Sequence, residues 1–425
     1  MIIDKNIVIT GCGAVSPYGI GIPALFDGLK TGQSAISLAP FYDEGSVVKK
    51  AGYCHDFKPE LYKKSDKPVT KSLKRLARGT QFAIIAADQA LQEVGYQSGE
   101  NQGDRIGIVL SSTRTVLEKT EQFYEVLVDK GPRATSPLIF QETVNNASAS
   151  HISIKYQITG PCITLTEGAT SAFSGIVMAT GWLRTGKVDR VLLLCAEGLT
   201  ALCQTAHHHA LGHAPVVSNK TADCCPFSLE RNGYVLGEGA VAIILETQEH
   251  AIKHHANILA LIAGCGFAHD AYRVGRCHPN GRGLEVAMKK AIEMANISAN
   301  EIDWIIANAN GSVAGDTAES RAINSVWKNV PPPVSAIKSM LGETEGVAGG
   351  IALLAGLLGM KYDILFPTIN YQTPDPSCQV DCVPNQSRIK ASRHVLLNAM
   401  GFGGTCGSLI MTKSPDLESK ALVNK

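Results

Sequence analysis

The sequence has no long hydrophobic run, no excess of charge of one sign and no cysteine pair in CxxC spacing. Its 39 basic and 38 acidic residues give a formal net charge of +1, which gives no support for binding to nucleic acid or to a membrane surface. The longest helical apolar run, Gly349 to Met360, is too short to span a bilayer, and the N-terminal residues lack the pattern of a signal peptide. We therefore predict a cytoplasmic protein that binds neither nucleic acid nor membranes.

Metal-binding patterns are equally scarce. The 12 cysteines are scattered, and we interpret them as reduced thiols of the core and surface. His207-His208-His209 with His213 resembles a metal cluster, but adjacent histidines of one local segment cannot all face a single ion. A solvated or loop-lining segment is the simpler interpretation, and we predict no metal and no cofactor.

Two common catalytic motifs are incomplete. Gly11-Cys12-Gly13 follows the first predicted strand, but Ser16 stands where a dinucleotide-binding GxGxxG loop has its third glycine. A GxSxG nucleophile motif is absent from the strand-to-helix junctions, and Thr170-Ser171 has no evident histidine partner. Neither nucleotide binding nor serine hydrolysis is supported.

Short β-branched runs alternate with longer helical patterns along the whole chain, which indicates an α/β fold. The alternation restarts near Ile258, so two halves of similar plan are expected. We predict an N-terminal half over residues 1–250, a C-terminal half over 251–413 and a flexible polar tail over 414–425.

Several motifs occur in one order along most of the chain. They are Val8-Ile9-Thr10-Gly11-Cys12-Gly13, Arg231-Asn232-Gly233-Tyr234-Val235-Leu236-Gly237-Glu238-Gly239, Lys338-Ser339-Met340, Pro367-Thr368-Ile369-Asn370 and Gly401-Phe402-Gly403-Gly404-Thr405. Together they resemble the β-ketoacyl synthase family of the thiolase superfamily, from about residue 5 to about residue 413. The resemblance implies a thiolase fold, in which two related βα halves form a five-layered α-β-α-β-α core, and an intimate dimer.

The resemblance also implies where condensing chemistry should reside. The family uses a cysteine at the N-terminus of a buried helix, where the helix dipole lowers the thiol pKa, and two histidines that assist decarboxylation and stabilise an oxyanion. Here Ala169 stands at the cysteine position, and Asn310 and Glu343 stand at the histidine positions. No histidine occurs from Pro279 to Arg393, so a shifted alignment does not restore either imidazole.

Substitute nucleophiles find little support. Cys162 is expected on the strand before the helix, and Thr170 has no base. Lys338 is retained without its histidine partners, and a buried ammonium group needs a counter-charge. We therefore predict a structural cluster of Lys338, Glu167 and Glu343 that fills the inactive site; the alternative is that the carboxylates point to solvent.

Catalytically silent members of the family act as chain-length factors of type II polyketide synthases. The resemblance implies a heterodimer with an active ketosynthase, contact with an acyl carrier protein through that complex, and a seam that limits the growing chain. It suggests Thr113, Glu121, Phe123 and Tyr124 as chain-length lining and Phe402 and Gly403 as a gate-like loop. A malonyl decarboxylase and a homodimeric acyl-binding scaffold are the alternatives.

Overall fold

A computed structural model describes residues 6–41, 49–59, 63–64, 67–68, 73–97, 103–211, 224–328 and 330–414. Within these ranges no helix is both long and apolar enough to cross a membrane. Ser414 is buried, and the rest of the predicted tail, like His213, lies outside the described residues. The boundary predicted near residue 250 stays a prediction.

The described chain alternates strands with helices. Its strands are β1 (Ile7–Ser16), β2 (Gly19–Ile20), β3 (Ile36–Leu38), β4 (Lys50–Gly52), β5 (Lys63–Lys64), β6 (Lys67–Pro68), β7 (Ile106–Ser111), β8 (Cys162–Leu165), β9 (Arg190–Glu197), β10 (Gly239–Thr247), β11 (Ala260–His269), β12 (Trp304–Ile306), β13 (Val334–Ser335), β14 (Ile364–Leu365), β15 (Arg388–Ile389), β16 (His394–Met400) and β17 (Thr405–Lys413). Its helices are α1 (Ile22–Thr31), α2 (Arg78–Glu93), α3 (Leu117–Lys130), α4 (Pro137–Phe140), α5 (Ala147–Tyr156), α6 (Ser171–Arg184), α7 (Ala201–Leu211), α8 (Gln248–Lys253), α9 (Arg282–Ala295), α10 (Val313–Trp327), α11 (Lys338–Leu341) and α12 (Ala348–Tyr362).

The strand order repeats between the two halves. The first half has the order β8-β7-β9-β10-β1 and the second has β13-β12-β16-β17-β11. Numbered within its own half, each sheet reads 3-2-4-5-1, with parallel pairing among the first three positions and antiparallel pairing in the rest. The halves join where Ile7–Ile9 of β1 pairs with Ala260–Ile262 of β11. A duplicated α/β unit explains this repetition.

Helices separate and cover the two sheets. Helices α2 and α5 lie on the outer face of the first sheet, and α9, with α10 against it, lies on the outer face of the second. Helices α6 and α12 pack between the sheets, and α12 is buried over all its residues from Ala348 to Met360. A helix that is apolar all round is typical of such a central layer. The arrangement has five layers, as the resemblance implies.

Glycines in β1 serve helix packing. A Cβ at Gly13 would lie 2.1 Å from Ala86 O of α2, and one at Gly11 would lie 2.8 Å from Ala90 O. Strand β1 also shifts register between Ile9 and Gly11. The Gly11-Cys12-Gly13 motif therefore lets α2 approach the strand closely, which is a packing role and not a phosphate-binding one.

Candidate functional site

The position that corresponds to the family's nucleophile lies at the turn between β8 and α6. Gly168 has a φ of +68° and begins a short 3₁₀ turn through Thr170, after which α6 starts at Ser171. Ala169 is 5% exposed within this turn. A cysteine here would meet the N-terminal dipole of a central helix, but a methyl group offers no nucleophile.

The residues at the two histidine positions, Asn310 and Glu343, belong to a buried cluster that also contains Lys338. Lys338 Nζ lies 2.7 Å from Glu343 Oε2, and the Asn310 amide donates to the same oxygen at 2.8 Å. Lys338 also donates to Asn308 Oδ1 at 2.8 Å, while the backbone N–H of Glu345 donates to Glu343 Oε1 at 2.9 Å. Both carboxylate oxygens are thus bonded, and three of the family-derived positions, Asn310, Lys338 and Glu343, lie together.

Backbone pairing fixes the direction of Glu343. Its N–H donates to Val235 O at 2.7 Å, and its carbonyl accepts from Gly237 N at 2.9 Å. A Cβ at Gly237 would lie 2.3 Å from Leu341 O, so glycine permits this close pairing. The Arg231–Gly239 motif therefore fixes the backbone that carries the acidic side chain.

The environment of Glu343 favours its charged form. Burial raises the pKa of this carboxyl, but the charge of Lys338 and the hydrogen bonds from Lys338, Asn310 and the Glu345 N–H lower it more, so its pKa falls below the ordinary value. An ionised carboxylate disfavours a second negative charge nearby. The site is therefore unsuited to stabilise an oxyanion or an enolate.

Glu167 is not part of this cluster, and its inclusion in the prediction is corrected. Its side chain is exposed and accepts a hydrogen bond from Ser174 Oγ at 2.6 Å. The turn at Gly168 directs the side chain outward along α6, where solvent screens its charge. Of the two carboxylates, only Glu343 provides a counter-charge for Lys338.

Sequence reasoning missed a second ionic group beside the first. Arg114 and Glu345 form a buried ion pair, and His207 Nε2 lies 3.2 Å from Glu345 Oε1. Arg114 also donates to Gly237 O at 3.0 Å. Burial lowers the pKa of His207 although Glu345 opposes the shift. The imidazole thus caps the ionic group, and the side chains of His208 and His209 are outside the described part of the structure.

Glu197 completes the network at the end of β9. Its carboxylate accepts backbone N–H groups of Thr113 at 2.5 Å, Arg114 at 2.8 Å and Gly346 at 3.1 Å. Burial, together with the charge of Glu345, raises its pKa to about 7, against the charge of Arg114 and the hydrogen bonds from the Thr113 and Arg114 N–H groups. Glu197 holds together the segments that carry Arg114 and Glu345.

Two further buried acids shape the loop that carries Asn310. Asp316 accepts the N–H groups of Phe227 and Asn310 at 3.0 and 3.1 Å. Glu319 accepts those of Asn308 and Ala309 at 3.0 and 2.7 Å. Burial raises the pKa of Asp316 to about 6 and that of Glu319 to about 7. The loop thus keeps a defined shape although its histidine is absent.

The remaining cavity at the site is small. It has a volume of about 60 Å³ and is lined by residues that include Ala169, Asn310, Glu343 and Phe402. Ligand pockets usually measure about 300–1,000 Å³, so the space suits a few waters. Phe402 and Tyr234, which both line this space, contact each other with a ring-centroid distance of 5.5 Å. Gly403 follows it with no atom near a built Cβ.

The four residues suggested as chain-length lining are at the surface of this single chain. Thr113 and Tyr124 are exposed, and Phe123 packs against Tyr124 and Phe140 at 5.8 and 5.5 Å. Glu121 accepts a hydrogen bond from Thr200 Oγ1 at 2.5 Å. Helix α3, which carries three of these residues, has no buried residue, and Glu121 and Phe123 are half-buried against their neighbours.

The substitute nucleophiles lack activating partners among the described residues. Cys162 is exposed at the start of β8, where it pairs with Ile108 across the parallel strands. The Thr170 hydroxyl donates to Glu167 O and contacts Thr405 Oγ1, both at 3.1 Å. Neither geometry provides a base for nucleophilic attack.

Comparison with known protein families identifies the family of this chain. Residues 4–251 match the N-terminal domain of β-ketoacyl synthases, and residues 259–372 match the C-terminal domain. The chain belongs to the β-ketoacyl synthase family. It is 31% identical over 418 residues to 3-oxoacyl-[acyl-carrier-protein] synthase 2 of Coxiella burnetii, covering 96% of this chain and 99% of that protein. The synthase 2 of Staphylococcus aureus is 30% identical over 413 residues, with the same coverage.

Solved structures confirm the predicted thiolase-type fold. A type II polyketide synthase ketosynthase complexed with its acyl-carrier protein and bound to the hexaketide matches with a TM-score of 0.87 and 26% identity, covering 96% of this chain and 100% of that chain. The ishigamide ketosynthase/chain length factor matches with a TM-score of 0.87 and 27% identity, covering 96% and 99%. The two relatives above carry the names of condensing enzymes. The comparisons therefore show the family of this chain but not which type of subunit it is.

Proposed function

We propose that this chain is a catalytically silent ketosynthase-like subunit, a chain-length factor that pairs with an active ketosynthase. The buried Lys338–Glu343 pair, with Asn310 bonded to the same carboxylate, is the observation that carries this proposal. It fills the positions where condensation requires two imidazoles, beside a methyl group in place of the thiol. Such a centre stabilises the fold and leaves the chemistry to a partner.

Exposed apolar side chains support a partner surface. They lie on α3, α4, α5, α6 and the segment after α4: Tyr124, Val128, Leu138, Phe140, Val144, Ile154 and Val177. Of these elements, α3 packs against α4, and exposed apolar patches mark protein–protein contacts in soluble proteins. We call this set the seam patch.

An open strand edge supports the same surface. β8 ends the order of the first half, and β13 ends that of the second. β13 has two buried residues, whereas β8 has four residues and an exposed Cys162. Short edge strands resist pairing with other chains, and longer ones invite it. A partner strand is therefore expected at β8 and not at β13.

Aromatic side chains of α3 and α4 fit a role in limiting chain length. Phe123 contacts Tyr124 on α3 and Phe140 on α4, which are both members of the seam patch. In a heterodimer such rings would occupy volume next to the partner's acyl tunnel, so larger side chains would shorten the product. The solved ketosynthase/chain length factor that matches this chain offers a precedent for such pairing.

Co-expression with an intact ketosynthase from the same source tests this function. Native mass spectrometry should show a one-to-one complex, and a condensation assay with malonyl-loaded carrier protein should require the partner's cysteine. Val128→Asp should weaken the complex, whereas Val330→Asp should not, because the two valines are equally exposed, at 80% and 81%, and Val330 lies outside the seam patch. Acylation or turnover by this chain alone, or a stable homodimer that ignores the ketosynthase, would overturn the proposal.

A further inference from the structure

Three potential metal ligands converge where β10 ends and α8 begins. Glu246 is buried in β10, and His250 and His254 follow at four-residue intervals on and just after α8. Glu246 Oε2 lies 2.5 Å from His250 Nδ1 and 3.4 Å from His254 Nε2. The three ligand atoms all lie within 4.8 Å of one another. Two imidazoles one helical turn apart present their nitrogens to one point.

Neighbouring groups orient these ligands. The Thr10 hydroxyl donates to Glu246 Oε1 at 2.6 Å, which leaves Oε2 directed at the histidines. His254 Nδ1 lies 2.6 Å from His250 O, and a carbonyl can only accept, so Nδ1 carries the proton and Nε2 presents a lone pair. Metal-binding histidines characteristically donate their other N–H to a carbonyl in this manner.

A guanidinium group occupies the space where a cation would bind. Arg190 Nη2 lies 3.0 Å from His254 Nε2, which agrees with the lone pair on that nitrogen. Arg190 Nε lies 3.4 Å from Glu246 Oε2 but is buried without a hydrogen-bond partner. The arginine therefore satisfies the cluster incompletely. A compact ion would meet all three ligand atoms.

We propose that Glu246, His250 and His254 bind a divalent transition-metal ion of the zinc class, which displaces the Arg190 guanidinium. Imidazole nitrogens and one carboxylate oxygen are a common donor set for zinc, with water as the fourth ligand. The histidine side chains are each 30% exposed, so an ion and its water can enter. The prediction of no metal weighed the cysteines and the His207–His213 segment, but not Glu246, His250 and His254.

The metal would connect β10 to α8 and, through Thr10, to β1. Gly237 N donates to Glu343 O, and β10 runs from Gly239 to Thr247, so Glu246 lies about 23 Å along the strand from the end nearer to Glu343. The site is therefore independent of the proposed subunit function. Its loss would alter metal binding without altering partner binding.

Cobalt(II) titration of the chelator-treated full-length protein tests the site. The expected result is one equivalent of bound Co²⁺ with visible d–d absorption and without the near-ultraviolet charge-transfer band that thiolate ligands produce. His254→Gln should weaken binding about tenfold or more, and Thr10→Val should weaken it by about ten- to hundredfold through loss of ligand orientation. His151→Gln is the matched control, because His151 is also 30% exposed and paired with a carboxylate, Glu142, at 2.8 Å, but has no second histidine beside it.

Substitution of the competing arginine separates a metal site from a merely structural cluster. Arg190→Ala should tighten Co²⁺ binding, because the ion would no longer compete with the guanidinium for Glu246 and His254. Circular dichroism checks that each variant is folded. Binding weaker than on the order of 1 mM in the wild type, a thiolate band, unchanged affinity in His254→Gln or weaker affinity in folded Arg190→Ala would each overturn the proposal.

Discussion

The two halves of the molecule are alike in their outer packing and unlike at the centre. In the first half, Gly11 and Gly13 of β1 admit α2; in the second, Gly264 and Gly266 of β11 admit α9, where a Cβ would lie 2.2 Å from Ala291 O and 2.0 Å from Ala287 O. Both strands shift register just before the first of the two glycines. Strand–helix contact is thus built twice in the same way.

The turns before the two central helices differ sharply. The turn before α6 holds the small, uncharged Ala169, whereas the turn before α12 holds Glu345, which pairs with Arg114. A side chain at these strand positions would collide with the backbone of the packed helix. Both halves therefore have glycine there. The centre tolerates different chemistry provided that each buried charge is paired. The shared glycine contacts therefore reflect what the fold requires, and the different central turns reflect what each half does.

Removal of the Lys338 charge should have the largest effect on stability. Lys338→Met leaves Glu343 buried with the Asn310 amide and one N–H as its remaining donors. Loss of one partner from a buried ion pair costs about 3–5 kcal/mol, and the free energy of unfolding from urea denaturation should fall by that amount. Partner binding should be retained in the folded fraction.

The double variant Lys338→Met/Glu343→Gln is the control for this loss. It removes both charges, so most of the lost stability should return, and the difference from the sum of the single variants measures the coupling. Additive losses would show that the two side chains do not interact. The centre would then be no ionic cluster.

Substitution of the glycines that contact the outer helices should have the next largest effect on stability. Gly13→Ala and Gly266→Ala each force a methyl group onto a helix carbonyl, at 2.1 and 2.0 Å, and each should cost about 3 kcal/mol, the upper range for overpacking. Similar losses in both halves would support the duplicated packing. Gly181→Ala in α6 is the control, since no atom lies within 4 Å of the built Cβ, and it should stabilise by about 0.5–1 kcal/mol. Unequal losses at Gly13 and Gly266 would contradict the comparison.

Buried acids should give the protein a distinctive pH dependence. Burial raises the pKa of Glu197 to about 7, above the ordinary 4.5. The folded state therefore binds a proton that the unfolded state releases, so this stability is present below about pH 4.5 and is lost as the pH rises through 7. Glu197→Gln should flatten the dependence in this window by on the order of 2 kcal/mol. Urea denaturation at about pH 5 and 7.5 measures it.

Glu343 should change the pH dependence of stability in the opposite direction to Glu197, and in a different pH range. Its lowered pKa gives stability that is present above the unfolded value and is lost as the pH falls through the folded one. Glu343→Gln should therefore change the dependence only on the acid side of about pH 4.5. A loss of stability between pH 5 and 7.5 that persists unchanged in Glu197→Gln would assign the effect to Glu319 or Asp316 instead.

Motifs located the residues of the candidate site, and of the predicted cluster the structure brings Lys338 and Glu343 together but not Glu167. The family resemblance marked Asn310, Lys338 and Glu343, because each lies at a fixed offset from a recognisable motif. It could not exclude Glu167, since the outward direction of that side chain depends on the turn at Gly168.

The second ionic group left no signal that sequence reasoning could use. Arg114, Glu197, His207 and Glu345 lie far apart in the chain, and no local period links them. Their contacts arise only when both sheets are assembled around α6 and α12. The alternation of strands and helices, by contrast, can be predicted from the sequence of each half, whereas the strand order comes from the structure.

The smallest expected effect is on catalysis. Ala169→Cys restores a thiol at the start of α6, yet Glu343 and Asn310 still occupy the positions where two imidazoles would act, and Glu343 carries charge. We expect no condensation above background in a malonyl-carrier assay and no acylated protein by mass spectrometry, while assembly with the partner is unchanged. Ala169→Ser serves as the matched control for added volume at the turn. Acylation of Ala169→Cys alone would show that the elbow still receives acyl groups, and condensation would show that the ionic centre is no barrier, so the inactivity would rest on the missing thiol alone.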